Sequence, residues 1–554
     1  MIHKEYYPYL IIYGKFRQYI PSDLKVPEKI AALYVKPKTF RKNGLIYHSF
    51  DEAYLILDGE WYVFKDLLSF WVFLSQYKNV DIYTYDSDMI IPLIKIKKED
   101  LEKAGDLKEK VMDLLDKIGD IYIYNQGRFK YLFSKEKNIK IKEIRAIWDV
   151  PKKDLVEAGT DNKIFHPYYI EENEYTKITK AIYNVILDVW DLFKEMKMPY
   201  FYSFTSTNAF YILHKHGVNY YGYRGENTAY EIVGHRGGLI GMKDVGYFEG
   251  QYYKLDINSA YPYAMLSELP YGLVDSIDDP SINDIKDQIG IFDLEYTISK
   301  PLISVKFANE TLLGSGRIRS IVTTPELEII KKCGSIKKIH KAFIYSKKAF
   351  LKDVILELYN LRQKHRGVKR KIIKVLMNAI YGKFSQTIKS KGKLYLSGFA
   401  FPAVSAYITG IIRAKLINLI EKAGWDNVFY FDTDGLIVNE KGFERLKDLI
   451  GNEIGKLKIE EKGSNIEIIA PKFYSIEGKI KFAGIPKDAV IEGDFIFYMK
   501  REDSEKNIRY KEYISKKSYK EDSMYLYKNF PNFEEYSLHF DYVQKEVPIL
   551  YSNI

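Results

Sequence analysis

The stretch Val428-Phe-Tyr-Phe-Asp432-Thr-Asp434-Gly-Leu-Ile-Val438 decides the reading of this chain. Apolar residues on both sides of an Asp-Thr-Asp-Gly centre predict two short strands joined by a tight turn. On a strand, positions i and i+2 face the same way, so Asp432 and Asp434 are expected to project together near the hairpin tip. Two like charges that close are unfavourable unless they share a cation. Taken alone, an Asp-x-Asp is more often a solvated turn or a metal site of another kind, so its surroundings must decide. Asp256 ends the apolar strand Tyr253-Lys-Leu-Asp256, where a lone charge would be costly. Three carboxylates on adjacent strand ends are what two divalent ions need for in-line phosphoryl transfer.

Leu361 to Lys374 carries seven Lys or Arg residues and no acid. Such a run is often only a solvated helix face. Here, however, Arg370, Lys374, Asn378 and Tyr381 recur at four, four and three residues and form one stripe. Two cations, an amide and a ring in line can grip a triphosphate and stack on a base pair. Gly382, next to the ring, lets the backbone pass close to such a pair. Ile372, Val375, Leu376 and Ala379 lie on the other side and would seat the helix.

The whole chain fits that chemistry without proving it. It has 554 residues, 46% hydrophobic and 29% charged, which excludes a disordered chain, a collagen-like fibre or a small disulfide scaffold. Lys+Arg 84 against Asp+Glu 74 leaves +10, a moderate excess that suits a polyanionic partner. The single cysteine, Cys333, excludes an intramolecular disulfide and a cysteine zinc cluster. The first residues lack an uninterrupted apolar leader. The longest apolar stretch, Phe399 to Ile412, is short for a bilayer span and is expected to be a core helix. A soluble, cytoplasmic protein with no membrane partner is therefore expected.

Short β-rich runs between Ile30 and Ile94, with a helical stretch at Leu67–Tyr77, predict an α/β or α+β domain near the N-terminus. A helix is expected from about Tyr175 to Lys194, a helix hairpin over Lys348–Phe384 and a further helix near Val404–Lys422. The glycines from Gly234 to Gly250 mark turns and close backbone approaches.

With these residues assembled, the sequence resembles a family B DNA polymerase, most closely the protein-primed, phi29-like branch of viruses and plasmids. Asp256-Ile-Asn-Ser-Ala-Tyr-Pro262 is similar to the D-x-x-S-L-Y-P motif. Lys374 to Gly382 is similar to K-x-x-x-N-S-x-Y-G, and Tyr430 to Asp434 to Y-x-D-T-D. The three stand in the family's order, whereas reverse transcriptases carry adjacent aspartates in this hairpin. His235-Arg-Gly-Gly238 resembles the Y-x-G-G element, and Lys472-Phe-Tyr474 the K-x-Y primer-binding motif.

The resemblance implies an α+β right-hand fold of palm, fingers and thumb, preceded by an RNase H-like exonuclease-type domain. It divides the chain into 1–200 exonuclease-like, 201–250 connecting, 251–347 and 385–485 palm, 348–384 fingers and 486–554 thumb. It implies template-directed addition of dNTPs to a DNA primer 3′ end with two Mg2+ ions, or Mn2+ in their place. Asp256 and Asp434 would ligate the metals and Asp432 would support them. Ser259, Arg362, Arg370 and Lys374 would hold the triphosphate, Tyr261 would exclude a ribose 2′-OH, and Asn378 and Tyr381 would line the nascent pair. Arg236, Gly237, Gly238, Gly382, Thr409, Arg413, Lys472 and Tyr474 would contact DNA. A terminal priming protein or another replication protein is an implied partner, with Thr323-Thr-Pro-Glu-Leu327 resembling the insertion that meets a priming protein.

Departures from the pattern carry information. Ala260 stands for the usual Leu, Ala379 for Ser, Ile412 for a small residue and His235 for Tyr. In the exonuclease motifs no D-x-E occurs in the first fifty residues, and its counterpart is expected near Tyr13-Gly-Lys-Phe16. Thr84-Tyr-Asp-Ser-Asp88 resembles the second motif. In the third, Tyr169 to Asn173, a neutral Asn173 stands where a metal-binding Asp belongs. An exonuclease fold without proofreading is expected, the alternative being a rearranged site of Asp86, Asp88, Glu172 and Glu174. The hairpin between Gly382 and Thr409 is short, with only Ile388–Leu396 to form it. The leading expectation is replication of a small viral or plasmid genome. A primer-independent or gap-filling, translesion-type polymerase and a non-catalytic DNA-binding relative are the competing readings.

Overall fold

Alternating apolar residues draw Lys29–Lys42 and Leu45–Leu57 into a long antiparallel pair, to which Glu60–Phe64 adds an edge strand. On the other side of Lys29–Lys42, Val80–Thr84 pairs parallel and is followed by Ile139–Glu143, also parallel. Phe129–Ser134 and Ile121–Gln126 complete a seven-stranded mixed sheet. The amphipathic helix Tyr175–Glu195 packs Ile178, Ile182, Ile186 and Val189 into its core. In this computed structural model the described residues are 9–10, 14–16, 29–42, 45–85, 121–126, 129–134, 137–144, 175–196, 212–213, 216–218, 222–307, 310–390, 393–397, 400–470, 472–482, 490–492, 495–503, 508–515 and 549–553.

The second half is built on another seven-stranded sheet. Its order is Ile240–Met242, Val428–Asp432, Gly435–Asn439, Gly246–Ile257, Leu457–Ala470, Phe473–Ile476 and Lys479–Phe482. Three central neighbours of this sheet carry the chemistry of interest. Behind it runs Pro402–Ala423, apolar on nearly all sides, started by Pro402 and stopped at Gly424 with φ +87°. Among the described residues it is the one helix long and apolar enough to cross a membrane, and most of it is buried inside the fold.

A four-stranded sheet, ordered Leu269–Asp278, Gly334–Lys348, Ile289–Phe307 and Glu310–Thr323, flanks this body. From its end rises a helix hairpin, Lys352–Lys364 and Gly367–Lys383. A short antiparallel pair, Thr387–Ser390 with Lys393–Leu396, follows it, and Tyr9–Leu10 adds to that pair in parallel. The C-terminal part contributes a four-stranded sheet of Val490–Glu492, Phe495–Asp503, Ile508–Ser515 and Ile549–Asn553. The fold is α+β.

Candidate active site

Asp256 pairs in register with Gly435 on one side and Lys458 on the other, which sets it at the centre of the sheet's working end. Asp432 closes Val428–Asp432, and Thr433 follows in the left-handed region at φ +60°. The Asp434 N–H donates to the Asp432 carbonyl at 2.7 Å, so Asp434 sits in a tight turn rather than on a strand. This corrects the simple strand alternation expected for the pair. The Asp434 carbonyl in turn accepts the Ile257 N–H at 2.8 Å, tying the turn to the strand of Asp256. Gly238 explains why the turn fits, because a Cβ there would stand 2.5 Å from the Thr433 Cα.

Electrostatics single out Asp434. Burial first, then the neighbouring Asp256 and Asp432, push its carboxyl up to about 7. Burial raises Asp256 as well, opposed by Lys458, whose Nζ lies 2.8 Å from Asp256 Oδ2. In this conformation no group of three or more His, Cys, Asp or Glu among the described residues is gathered closely enough to hold an ion. The chemistry of the donors fits a divalent metal all the same. They are hard carboxylate oxygens, and Asp434 is crowded by like charges that Lys458 offsets only in part.

The helix hairpin brings its cations to the same end. Arg362 Nη1 donates to Ser259 Oγ at 3.0 Å, and Ser259 itself is left-handed at φ +53° just before Ala260–Met265. Arg370 turns back, donating to the Arg362 carbonyl at 3.2 Å. Lys374 and Asn378 are exposed on the helix, one turn apart. Tyr381 packs its ring 4.7 Å from that of Tyr261, and Gly382 beside it meets nothing within 4 Å of a built Cβ. The His235 Nε2 lies 2.7 Å from the Tyr381 hydroxyl, so the residue standing for the family's Tyr fixes this pair from behind.

Several residues expected at DNA are turned inward. Arg236 and Arg413 are fully buried and share Glu326, at 2.7 Å and 2.9 Å. Burial alone would raise the Glu326 carboxyl, but the two guanidinium groups outweigh it and hold it at about 2. The buried Thr409 hydroxyl donates to the Ser405 and Ala406 carbonyls. These three side chains offer no surface to a strand of DNA in this conformation; their expected role is corrected to that of core fasteners. Tyr474 is buried too, its ring 4.8 Å from Tyr430, while Lys472 is exposed and its N–H donates to the Tyr430 hydroxyl at 2.6 Å. Gly237 has open space around it, whereas Gly238 serves the aspartate turn.

In the N-terminal sheet, Gly14–Phe16 does not join the long strands; it pairs with Gly222–Arg224. Of the stretch Tyr13-Gly-Lys-Phe16, the described residues Gly14–Phe16 thus lie outside the seven-stranded sheet, whose long strand Lys29–Lys42 carries Lys36 and Lys38. Lys36 Nζ lies 3.2 Å from Asp51 and over the ring of Tyr175. The buried Asp81 is matched by Lys142, also buried, whose ammonium burial pulls below its usual range. Asp86, Asp88, Tyr169, Glu172, Asn173 and Glu174 lie outside the described residues. Sequence reading missed Glu326, Lys458 and Glu460, because only folding brings them to their partners. The one signal was the alternation Lys456-Leu-Lys458-Ile-Glu460 on a strand.

Residues 232–398 match the family model described as DNA polymerase type B, organellar and viral. A DNA polymerase of Acidianus bottle-shaped virus (isolate Italy/Pozzuoli) is 26% identical over 295 residues, 48% of this chain and 42% of that protein. The DNA polymerase of Bacillus phage Nf is 25% identical over 291 residues, 45% of this chain and 50% of that protein. The matched stretches thus span about half the length of these relatives. The solved structure of phi29 DNA polymerase with primer-template DNA and incoming nucleotide has a TM-score of 0.63 at 16% identity. That likeness covers 88% of this chain and 99% of the solved one, and it concerns the fold. Over residues 232–398 the chain thus resembles type B DNA polymerases of organelles and viruses, and its fold is similar to that of phi29 DNA polymerase.

Proposed function

We propose that the protein is a template-directed DNA polymerase that adds dNTPs to a primer 3′ end, with Mg2+ as its natural ion. The observation that carries this is the half-buried carboxylate group, with Asp434 pushed up to about 7, beside the helix hairpin whose Lys374 feels the charge of Asp256 and whose Arg362 reaches Ser259. Divalent ions held by Asp256 and Asp434, with Asp432 beside them, would supply charge stabilisation to the attacking and leaving oxygens. The chain's own groups do the rest. Arg362 and Lys374 grip the triphosphate, with Ser259 orienting Arg362 through its hydroxyl. Tyr261, backed by Tyr381, fills the space that a 2′-OH would need. Asn378 and Tyr381 present an amide and a ring to the new base pair.

In this reading the N-terminal domain carries no proofreading activity. Its support is the lysine-bearing central strand and the Lys142 ammonium already matched to Asp81. The chain would act inside the cell where a small viral or plasmid genome is copied. The test is single-nucleotide addition to a labelled primer–template with Mg2+. The nucleotide added should follow the templating base, and DNA binding should weaken as salt rises. Addition that ignores the template, or none at all with DNA bound, contradicts the proposal.

A further inference from the structure

Beside the aspartates runs a row of charges that catalysis as described does not use. Lys254 and Asp256 are two apart on one strand, and Lys458 and Glu460 two apart on its antiparallel neighbour. The register slips between Lys254 and Leu255, leaving Glu460 as the extra residue of a bulge, turned toward Lys254. Lys458 Nζ stands 2.8 Å from Asp256 and 3.1 Å from Glu460, and Lys254 Nζ stands 2.9 Å from Glu460. The order Asp256, Lys458, Glu460, Lys254 alternates in sign and ends with Lys254 over the ring of Tyr474.

We propose that Lys458 is a positioning residue for Asp256: an exchangeable ammonium that occupies the carboxylate until a divalent ion displaces it onto Glu460. This rests on the reading of Asp256 as a metal ligand. An ammonium brings one charge to a group of acids that a divalent ion satisfies with two. Glu460 already touches Lys458, so the ammonium moves without being left unpaired. Its side chain is 42% exposed, unlike the 2% exposed Lys142 that is locked to Asp81, so it has room to swing. Lys254 holds Glu460 in place to receive it.

The test is Mn2+ binding by the full chain without DNA or nucleotide, read from the electron paramagnetic resonance signal of the free ion. Lys458→Met should tighten binding by about two- to five-fold, the worth of a half-exposed ion pair. Lys458→Arg should stay near wild type, and Asp434→Asn should weaken binding. A structural role alone would not produce a gain in metal affinity. If Asp434→Asn weakens binding and Lys458→Met does not tighten it, the displacement is wrong while the metal site stands. If Asp434→Asn changes nothing, the metal site itself is wrong and the displacement falls with it. Wild-type protein gives a second reading that needs no variant to fold. Amine labelling followed residue by residue with mass spectrometry should rise at Lys458 when Mn2+ is added, and an unchanged yield would overturn the proposal.

Discussion

Two acids in this molecule, one buried and one half-buried, meet opposite fates. Asp81, in the N-terminal sheet, faces Lys142, and the pair is closed off from solvent. Asp434, in the turn of the second sheet, faces Asp256 and Asp432, and its carboxyl is pushed up to about 7. A buried charge must be matched, because leaving it bare costs several kcal/mol. Where the chain supplies the match, the acid is a fastener. Where it supplies more acids than its one nearby ammonium, Lys458, can match, the balance must come from outside, which is the physical mark of a reaction centre. Glu326, shared by Arg236 and Arg413, belongs with the fasteners although it lies behind the working end.

The sharpest way to break this contrast is to neutralise each acid in turn. Asp434→Asn should lower nucleotide addition by about 10^3-fold or more, since the metal's stabilisation is worth several kcal/mol, while DNA binding persists. Retained turnover would mean that the centre is elsewhere. Glu326→Gln strands two buried guanidinium groups and should cost about 3–5 kcal/mol of stability, read by denaturant unfolding. Lys142→Met strands Asp81 and should cost about as much, with nucleotide addition per folded molecule unchanged.

Acidity sharpens the same contrast. The Asp434 carboxyl has a folded value of about 7 against 3.8 for an ordinary Asp. Its contribution to stability is therefore complete below about pH 4 and is lost as the pH rises through about 7. Without metal, the melting temperature of wild type minus that of Asp434→Asn should fall across that window, and added Mg2+ should restore it at the upper end. Glu326, held at about 2, acts the other way: its contribution is present above the ordinary 4.5 and is lost as the pH falls toward 2.

Smaller effects are expected in the nucleotide pocket. Tyr261→Ala should admit ribonucleotides, and an unchanged sugar preference would remove the gate. His235→Phe loses one hydrogen bond to Tyr381, so the ratio of ribo- to deoxynucleotide use should shift by about two- to ten-fold.

What the sequence made legible was local. The Asp-Thr-Asp hairpin, the basic helix pair and the apolar helix after Pro402 each follow from turn chemistry or periodicity within a dozen residues. Direction was not legible. Arg413 reads as a cation available for DNA, yet it sits on a helix apolar on nearly every side and must find a buried partner, which comes from Glu326, far away in the chain. Lys458 depends on a strand register and a bulge that no single strand reveals. With no D-x-E in the first fifty residues the first exonuclease motif carries no sequence signal, and pairing with Gly222–Arg224 sets Gly14–Phe16 apart from the N-terminal sheet.

The most direct test of the contrast uses a primer whose 3′ end is mismatched, incubated with Mg2+ with and without dNTPs, beside Asp434→Asn. Wild type should extend a matched control primer and leave the mismatched end untrimmed when nucleotides are withheld, whereas Asp434→Asn should extend neither primer and should also leave the mismatched end untrimmed. Trimming that survives in Asp434→Asn would place a working nuclease in the N-terminal domain, and the division between fastener and reaction centre drawn here would be wrong.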